Sequence, residues 1–167
     1  MCVPRLFKFD TGTGGNVVTF MKTVLDKITR DALIARLKTL DEISTPLWGK
    51  MNVYQMLKHG TVSEEMYLGK NPYKRVLLGR LIGKRTLKNF LKDEAPMPRN
   101  APTGADFIIT ETTGDVLAER DKWIALIGEY AALNQEITHW FFGKMTKEQI
   151  GYFAYKHTDH HLRQFGC

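Results

Sequence analysis

The chain alternates segments of helical hydrophobic period with short polar or proline-containing breaks. From Val24 to about Asp41 an apolar residue recurs every three or four positions, which is the period of a helix with one apolar side. That stripe consists of Leu25, Ile28, Leu33, Leu37 and Leu40. Pro46 lacks an amide hydrogen, so we expect this first helix to end before it.

A capping pattern marks the start of the second helix. Asn52 is followed three positions later by Gln55, which is a capping box with Asn in place of the usual Ser or Thr. The pattern predicts a helix that runs to about Leu68. Gly69 can then provide its C-terminal cap.

Two further long helices are predicted in the second half of the chain. One spans roughly Asp115 to Leu133 and is started by Thr113. The last opens with the capping box formed by Thr146 and Gln149, and it stops at Gly166.

The middle of the chain is less regular. Residues 73–92 are apolar and basic, but Gly79 and Gly83 weaken any continuous helix there. Three prolines predict a loop over residues 94–110. We find no convincing alternating strand, so four principal helices predict an all-α bundle.

Length and composition fit one globular domain. The 167 residues are 43% hydrophobic and 25% charged, and a chain of this size can bury a core without disulfides or metal. The only cysteines, Cys2 and Cys167, lie at the two ends, where a nucleophile pocket is not expected. We predict a flexible leader over residues 1–20, a domain over residues 21–167 and a cytoplasmic location, since neither a secretory signal nor a long apolar run is present.

Histidines on two predicted helices suggest a metal site. His157 and His161 are four residues apart, so they share one face of the last helix, and the rest of that face is mostly apolar. His59 lies on the inward stripe of the second helix with Met56 and Met66. Three imidazoles leave a metal one or two open coordination positions, as in catalytic sites. The alternative to a metal site is that these histidines are ordinary core residues satisfied by hydrogen bonds.

Two other histidines are expected outside this site. His160 adjoins His161 but points about 100° away around the helix, so it should lie at the surface or behind the ligands. His139 precedes the last helix by several residues and should be too far away to ligate. A packing role suits it better.

A family resemblance supports the same three residues. It rests on four stretches: Leu47-Trp48-Gly49-Lys50-Met51, Gln55-Met56-Leu57-Lys58-His59, Phe142-Gly143-Lys144-Met145-Thr146 and Lys156-His157-Thr158-Asp159-His160-His161-Leu162-Arg163-Gln164-Phe165. From about residue 21 to the C-terminus the chain resembles a bacterial domain-of-unknown-function branch of the DinB-like (YfiT-like) metalloenzyme superfamily. The resemblance implies a four-helix bundle of DinB type with long crossover connections, here with an extra basic helical segment. It also implies a divalent metal on His59, His157 and His161.

The wider superfamily includes bacillithiol S-transferases and mycothiol-dependent isomerases, in which a metal activates a thiol cofactor. Those enzymes carry the motif His-Arg-Gly-Gln on the last helix, whereas here His161 is followed by Leu162, Arg163 and Gln164. Gln164 keeps its offset, so we expect it to hydrogen-bond a ligand or the substrate. The arginine is displaced, and the thiol specificity does not carry over.

These observations favour a metal-dependent transferase or hydrolase that acts on a small molecule. Zinc or nickel suits imidazole ligands best, with iron and copper as alternatives, and a low-molecular-weight thiol is a further cofactor that the resemblance implies. A homodimer is left open.

Two alternatives are a non-catalytic metal-binding bundle and a protein that binds an anionic membrane surface or nucleic acid through residues 70–92. That segment carries eight Lys and Arg residues and no acid. Basic helical faces are usually only solvated, so we expect no specific nucleic-acid partner.

Overall fold

Five α-helices and one short β-hairpin form the part of the chain that the computed structural model describes, residues 21–167. In chain order they are α1 (Lys27–Leu37), α2 (Val53–Tyr67), α3 (Leu77–Phe90), α4 (Val116–Glu129), β1 (Ile137–His139), β2 (Gly143–Met145) and α5 (Lys147–Gln164). The predicted, mostly helical class is confirmed. The leader predicted for residues 1–20 lies outside the described residues.

The two capping boxes form as the sequence predicts. The Asn52 side chain accepts a hydrogen bond of 2.9 Å from the Gln55 amide, and the Gln55 side chain accepts one of 3.1 Å from the Asn52 amide. Thr146 and Gln149 exchange the equivalent pair at the start of α5. Because capping depends on residues only three positions apart, these helix starts can be read directly from the sequence.

The first and third predicted helices are shorter than expected. Helix α1 begins after Asp26, and the predicted apolar stripe is partly wrong because Ile28 is 79% exposed. Helix α4 is capped by Asp115 rather than Thr113, and after Glu129 the chain continues as a 3-10 turn. The buried side of α1 is therefore narrower than its hydrophobic spacing suggests.

The basic middle segment contains a continuous helix, α3, although Gly79 and Gly83 were expected to weaken one there. A Cβ atom at Gly79 or Gly83 would lie 2.4 or 2.1 Å from the carbonyl oxygen of Phe141. The two glycines therefore let α3 approach the backbone of the loop between β1 and β2. This contact stabilises a helix that local propensity alone disfavours.

The antiparallel hairpin β1–β2 was not predicted. Its strands have only three residues each and pair Ile137 with Met145. Strands this short show almost no alternation in the sequence. The turn between them holds the aromatic run from Trp140 to Phe142, which packs towards α3 and α5.

Helices α1, α2, α4 and α5 pack against one another, and the core lies between them. Helix α2 approaches α4 closely at Gly60, where a Cβ would lie 2.2 Å from the ring of Trp123. None of the described helices is long and apolar enough to span a membrane.

One buried carboxyl group joins three of these helices. Glu64 on α2 has no exposed surface and accepts hydrogen bonds from Trp123 on α4 at 3.3 Å, from Thr158 on α5 at 3.0 Å and from the hydroxyl of Tyr130. Burial raises the pKa of Glu64 to about 7, against the opposing effect of these hydrogen bonds. Nothing in the local sequence pattern marks Glu64 as a buried residue.

Candidate metal centre

The three predicted histidines meet in the core between α2 and α5. Nε2 of His157 lies 3.2 Å from Nε2 of His59 and 3.2 Å from Nε2 of His161. All three residues are at most 8% exposed. They form a cluster that is positioned to hold one metal ion, and neither His160 nor His139 belongs to it.

A hydrogen bond on the far side of the His59 ring determines which of its two nitrogens carries the hydrogen. Nδ1 of His59 lies 2.9 Å from the carbonyl oxygen of Phe107. A carbonyl can only accept, so Nδ1 carries the hydrogen and Nε2 is left with its lone pair. Phe107 ends a 3-10 turn inside the predicted loop over residues 94–110.

Gln164 does the same for His161. Its Nε2 donates to the carbonyl of Trp48 at 2.9 Å, so its Oε1 faces His161 and accepts from Nδ1 at 2.9 Å. Gly49 allows this approach, because a Cβ there would lie 2.5 Å from the Gln164 amide nitrogen. Gln164 therefore orients a histidine of the cluster, in the way that residues behind metal ligands usually do.

The donor set fits a divalent transition metal. The lone pairs of His59 and His161 are both directed at the nitrogen of His157, an arrangement that is repulsive without a shared proton or a cation. Two ligands of one tetrahedral ion at 2.0–2.1 Å lie about 3.3 Å apart. The two separations from His157, each 3.2 Å, are close to this value, and all three nitrogens lie within 4.8 Å of one another.

Burial keeps the cluster neutral. It lowers the pKa of His59, and it lowers the pKa values of His157 and His161 well below the usual range, with the neighbouring histidines adding to the effect. Neutral imidazole is the form that binds metal. Nδ1 of His157 is buried without a hydrogen-bond partner among residues 21–167, so no contact determines the tautomer of this ring.

A cavity of about 760 Å³ leads to the cluster, which contributes to its wall. The rest of the described lining is mostly apolar and aromatic, including Tyr67, Phe107, Trp140 and Phe153, and none of it is Asp or Glu. Such a pocket suits a ligand with a substantial apolar part. Three neutral ligands, with no carboxylate in the described lining of the cavity, would leave the charge of a divalent ion uncompensated there.

His139 lies in the wall of this cavity, one aromatic ring away from the cluster. Its Nδ1 accepts backbone hydrogen bonds from Phe141 at 3.0 Å and Phe142 at 3.2 Å, so the hydrogen is on Nε2. Burial lowers the pKa of His139 to about 3. The ring stacks on Tyr67 and Phe142, in agreement with the predicted packing role, and also presents a neutral N–H donor to the cavity.

His160 is half-buried rather than fully exposed, and it lines the same cavity. Its ring contacts Trp48 edge-on, and the guanidinium of Arg99 lies over the Trp48 ring, 4.3 Å from the ring centroid. Sequence spacing placed His160 correctly outside the cluster. It did not show that the loop before residue 107 would fold back over it.

The fold and the site define a class of protein: a mostly helical domain with a buried three-histidine cluster that can hold a metal. A model of the DinB superfamily, a metal-binding superfamily, matches residues 26–165. The chain belongs to the DinB superfamily. Comparison with curated proteins and with solved structures gave no match.

Proposed function

We propose that the protein is a metal-dependent enzyme of transferase or hydrolase type, with His59, His157 and His161 as ligands of one divalent ion. The observation that carries this proposal is the convergence of three Nε2 atoms at the wall of a large apolar cavity. When bound, such an ion would supply Lewis acidity, lowering the pKa of a water or thiol.

The chain's own groups would position the ligands and the substrate. Phe107 and Gln164 hold two of the imidazoles with their lone pairs inward. The aromatic wall would exclude water and take up the apolar part of a substrate. The N–H of His139 is available in the same wall to donate a hydrogen bond to a substrate oxygen.

The finer features rest on the resemblance and on the chemistry of the donors. We propose a four-helix bundle of DinB type, zinc or nickel as the metal and a small-molecule substrate, with a low-molecular-weight thiol as the cofactor to be tested first. A cytoplasmic location and a homodimer are predictions that the structure leaves open.

Metal content tests the ligand set. Protein purified without a histidine tag should contain about one equivalent of transition metal by elemental analysis, and His157→Ala with His161→Ala should contain almost none. His160→Ala is the matched control, since it removes an adjacent histidine outside the cluster. Full occupancy in the double variant, or equal loss in the control, would contradict the site.

The same samples separate a catalytic metal from a structural one. A domain of this size can be stabilised by apolar burial alone, so His59→Ala or chelation should lower metal occupancy while helical content by circular dichroism is retained. Cooperative unfolding at room temperature on chelation would show that the ion holds the helices together. The enzyme proposal would then be abandoned for the non-catalytic one.

The role of Gln164 can be tested by two substitutions that both remove its donor to the Trp48 carbonyl but differ in whether an acceptor for His161 remains. Gln164→Leu removes the acceptor for His161 Nδ1 and should lower metal affinity about 10- to 100-fold, the usual effect of losing such a partner. Gln164→Glu keeps an acceptor and should retain most of the affinity. If a competition titration with a chromogenic chelator gave equal affinities for both variants, the hydrogen bond would have no role in metal binding.

A further inference from the structure

Helix α3 presents an unusually apolar outer surface. Ten large hydrophobic residues are exposed in the described part of the chain, and half of them belong to the short segment 76–82. They are Val76, Leu77, Leu78, Leu81 and Ile82. Leu77 and Leu81 are 77% and 83% exposed. Their clustering is notable because exposed apolar side chains are normally scattered singly.

Basic side chains share this surface. Arg80, Lys84, Arg85 and Lys88 lie on α3, and residues 70–92 contain no acid. Arg80, Arg85 and Lys88 make no ion pair with any residue of the range 21–167. An exposed face that is both apolar and basic, on a helix that cannot span a bilayer, is typical of helices that lie in a membrane interface.

The position of α3 in the fold makes this surface available. Its buried side, at Gly79 and Gly83, rests on the backbone of the hairpin turn, and its outer side faces away from the protein. Leu78 and Ile82 line the cavity described above and are also 58% and 43% exposed, so they lie where the cavity meets the surface. The exposed leucines are therefore continuous with the apolar route to the histidine cluster.

We propose that α3 docks on an anionic lipid surface, with Leu77 and Leu81 in the apolar boundary of the bilayer and the basic side chains among the headgroups. Docking in this orientation turns the cavity opening towards the lipid, from which an amphiphilic substrate can enter. That consequence for the substrate rests on the proposed function, whereas the docking itself does not require a metal.

Two other occupants fit the surface less well. Nucleic acid would pair with the basic side chains but would leave Leu77 and Leu81 in water, since phosphate contacts use charged and polar groups. A second copy packed through the same face would bring two basic patches together, because a two-fold interface pairs the same surface with itself and residues 70–92 contain no acid. Lipid with acidic headgroups satisfies both the apolar and the basic side chains.

Vesicle sedimentation of the full chain tests the docking. At about 150 mM salt, where long-range electrostatic effects are screened, the protein should bind vesicles of phosphatidylcholine with phosphatidylglycerol and bind phosphatidylcholine alone much more weakly. Leu77→Gln with Leu81→Gln should lower the partition coefficient by about tenfold or more, since each change removes a buried leucine from the lipid. Ile28→Gln with Ile43→Gln is the matched control, because these side chains are 79% and 85% exposed elsewhere on the molecule.

Single charges are tested in the same way. Lys88→Gln should weaken binding to the acidic vesicles about fivefold, the effect of one cation near an anionic surface. Lys38→Gln removes an exposed lysine at the end of α1 and should have no effect. All variants change exposed side chains, so circular dichroism should show them folded.

Several results would overturn the proposal. These are the absence of vesicle binding by the unmodified protein, an equal loss in the control variants, a change of oligomeric state alone in the leucine variant, and binding of duplex DNA that depends on Lys88 but not on the leucines. Metal content is measured on the same samples. If the protein binds vesicles but contains no metal, the docking is supported and the proposed function fails. If it contains metal but does not bind vesicles, the docking fails and the proposed function is unaffected.

Discussion

The buried carboxyl group of Glu64 should make the stability of the protein depend on pH in a direction opposite to that of most carboxylates. Substituting Glu64→Gln keeps the size and polarity of the side chain while removing its titration. The side chain has no exposed surface and its pKa is raised from 4.5 to about 7, chiefly by burial. The folded state therefore binds the proton more tightly than the unfolded state does.

The sign and size of the effect follow from this difference. A raised pKa in the folded state contributes stability that is fully present below about pH 4.5 and is lost as the pH rises through 7. The difference between about 7 and 4.5 is about 2.5, and at 1.36 kcal/mol for each pKa unit it corresponds to about 3 kcal/mol. No reduction for solvent screening applies to a group without exposed surface.

Urea unfolding of both proteins between pH 4 and 8 measures this contribution. The unfolding free energy of the unmodified protein, relative to that of Glu64→Gln, should fall by about 3 kcal/mol from the acidic to the neutral end. The histidines of the cluster have lowered pKa values and contribute in the opposite sense, but both proteins contain them and their effect cancels in the difference. Glu42→Gln removes an exposed carboxylate and should change the free energy by less than about 0.5 kcal/mol at each pH.

A difference between the two proteins that stays constant with pH would refute the reasoning. It would mean that the pKa of Glu64 is the same in the folded and unfolded states. The hydrogen bonds from Trp123, Thr158 and Tyr130 would then balance the cost of burial.

Two further predictions concern the cavity wall and the core. His139, with a pKa of about 3, should remain neutral with its hydrogen on Nε2 down to about pH 4. ¹⁵N NMR of the ring measures both the charge and the position of the hydrogen. Titration near pH 6 would contradict the two backbone hydrogen bonds to Nδ1. Gly60→Ala should lower the unfolding free energy by about 1–3 kcal/mol because its Cβ would meet the ring of Trp123, whereas Gly128→Ala, which has no atom within 4 Å, should raise it by about 0.5–1 kcal/mol. Equal effects of the two glycine substitutions in urea unfolding would refute the close contact of α2 with α4.

The amino-acid sequence by itself determined the features that depend on near neighbours in the chain. The starts of α2 and α5 follow from capping boxes, whose partners are three residues apart. His157 and His161 share a face of α5 because they are four residues apart, and the apolar residues of that stripe indicated correctly that the face is buried. His59 could be added because it lies on the buried stripe of its own helix.

The tertiary structure decided the features that depend on residues far apart in the chain. Gly79 and Gly83 are compatible with a continuous α3 only because the backbone at Phe141 packs against them. The lone pair of His59 is directed into the cluster by the carbonyl of Phe107, 48 residues away. Exposure of Leu81 likewise depends on what else packs nearby. Hydrophobic period and local propensity carry no information about such contacts, because they describe a segment and not the surface against which it packs.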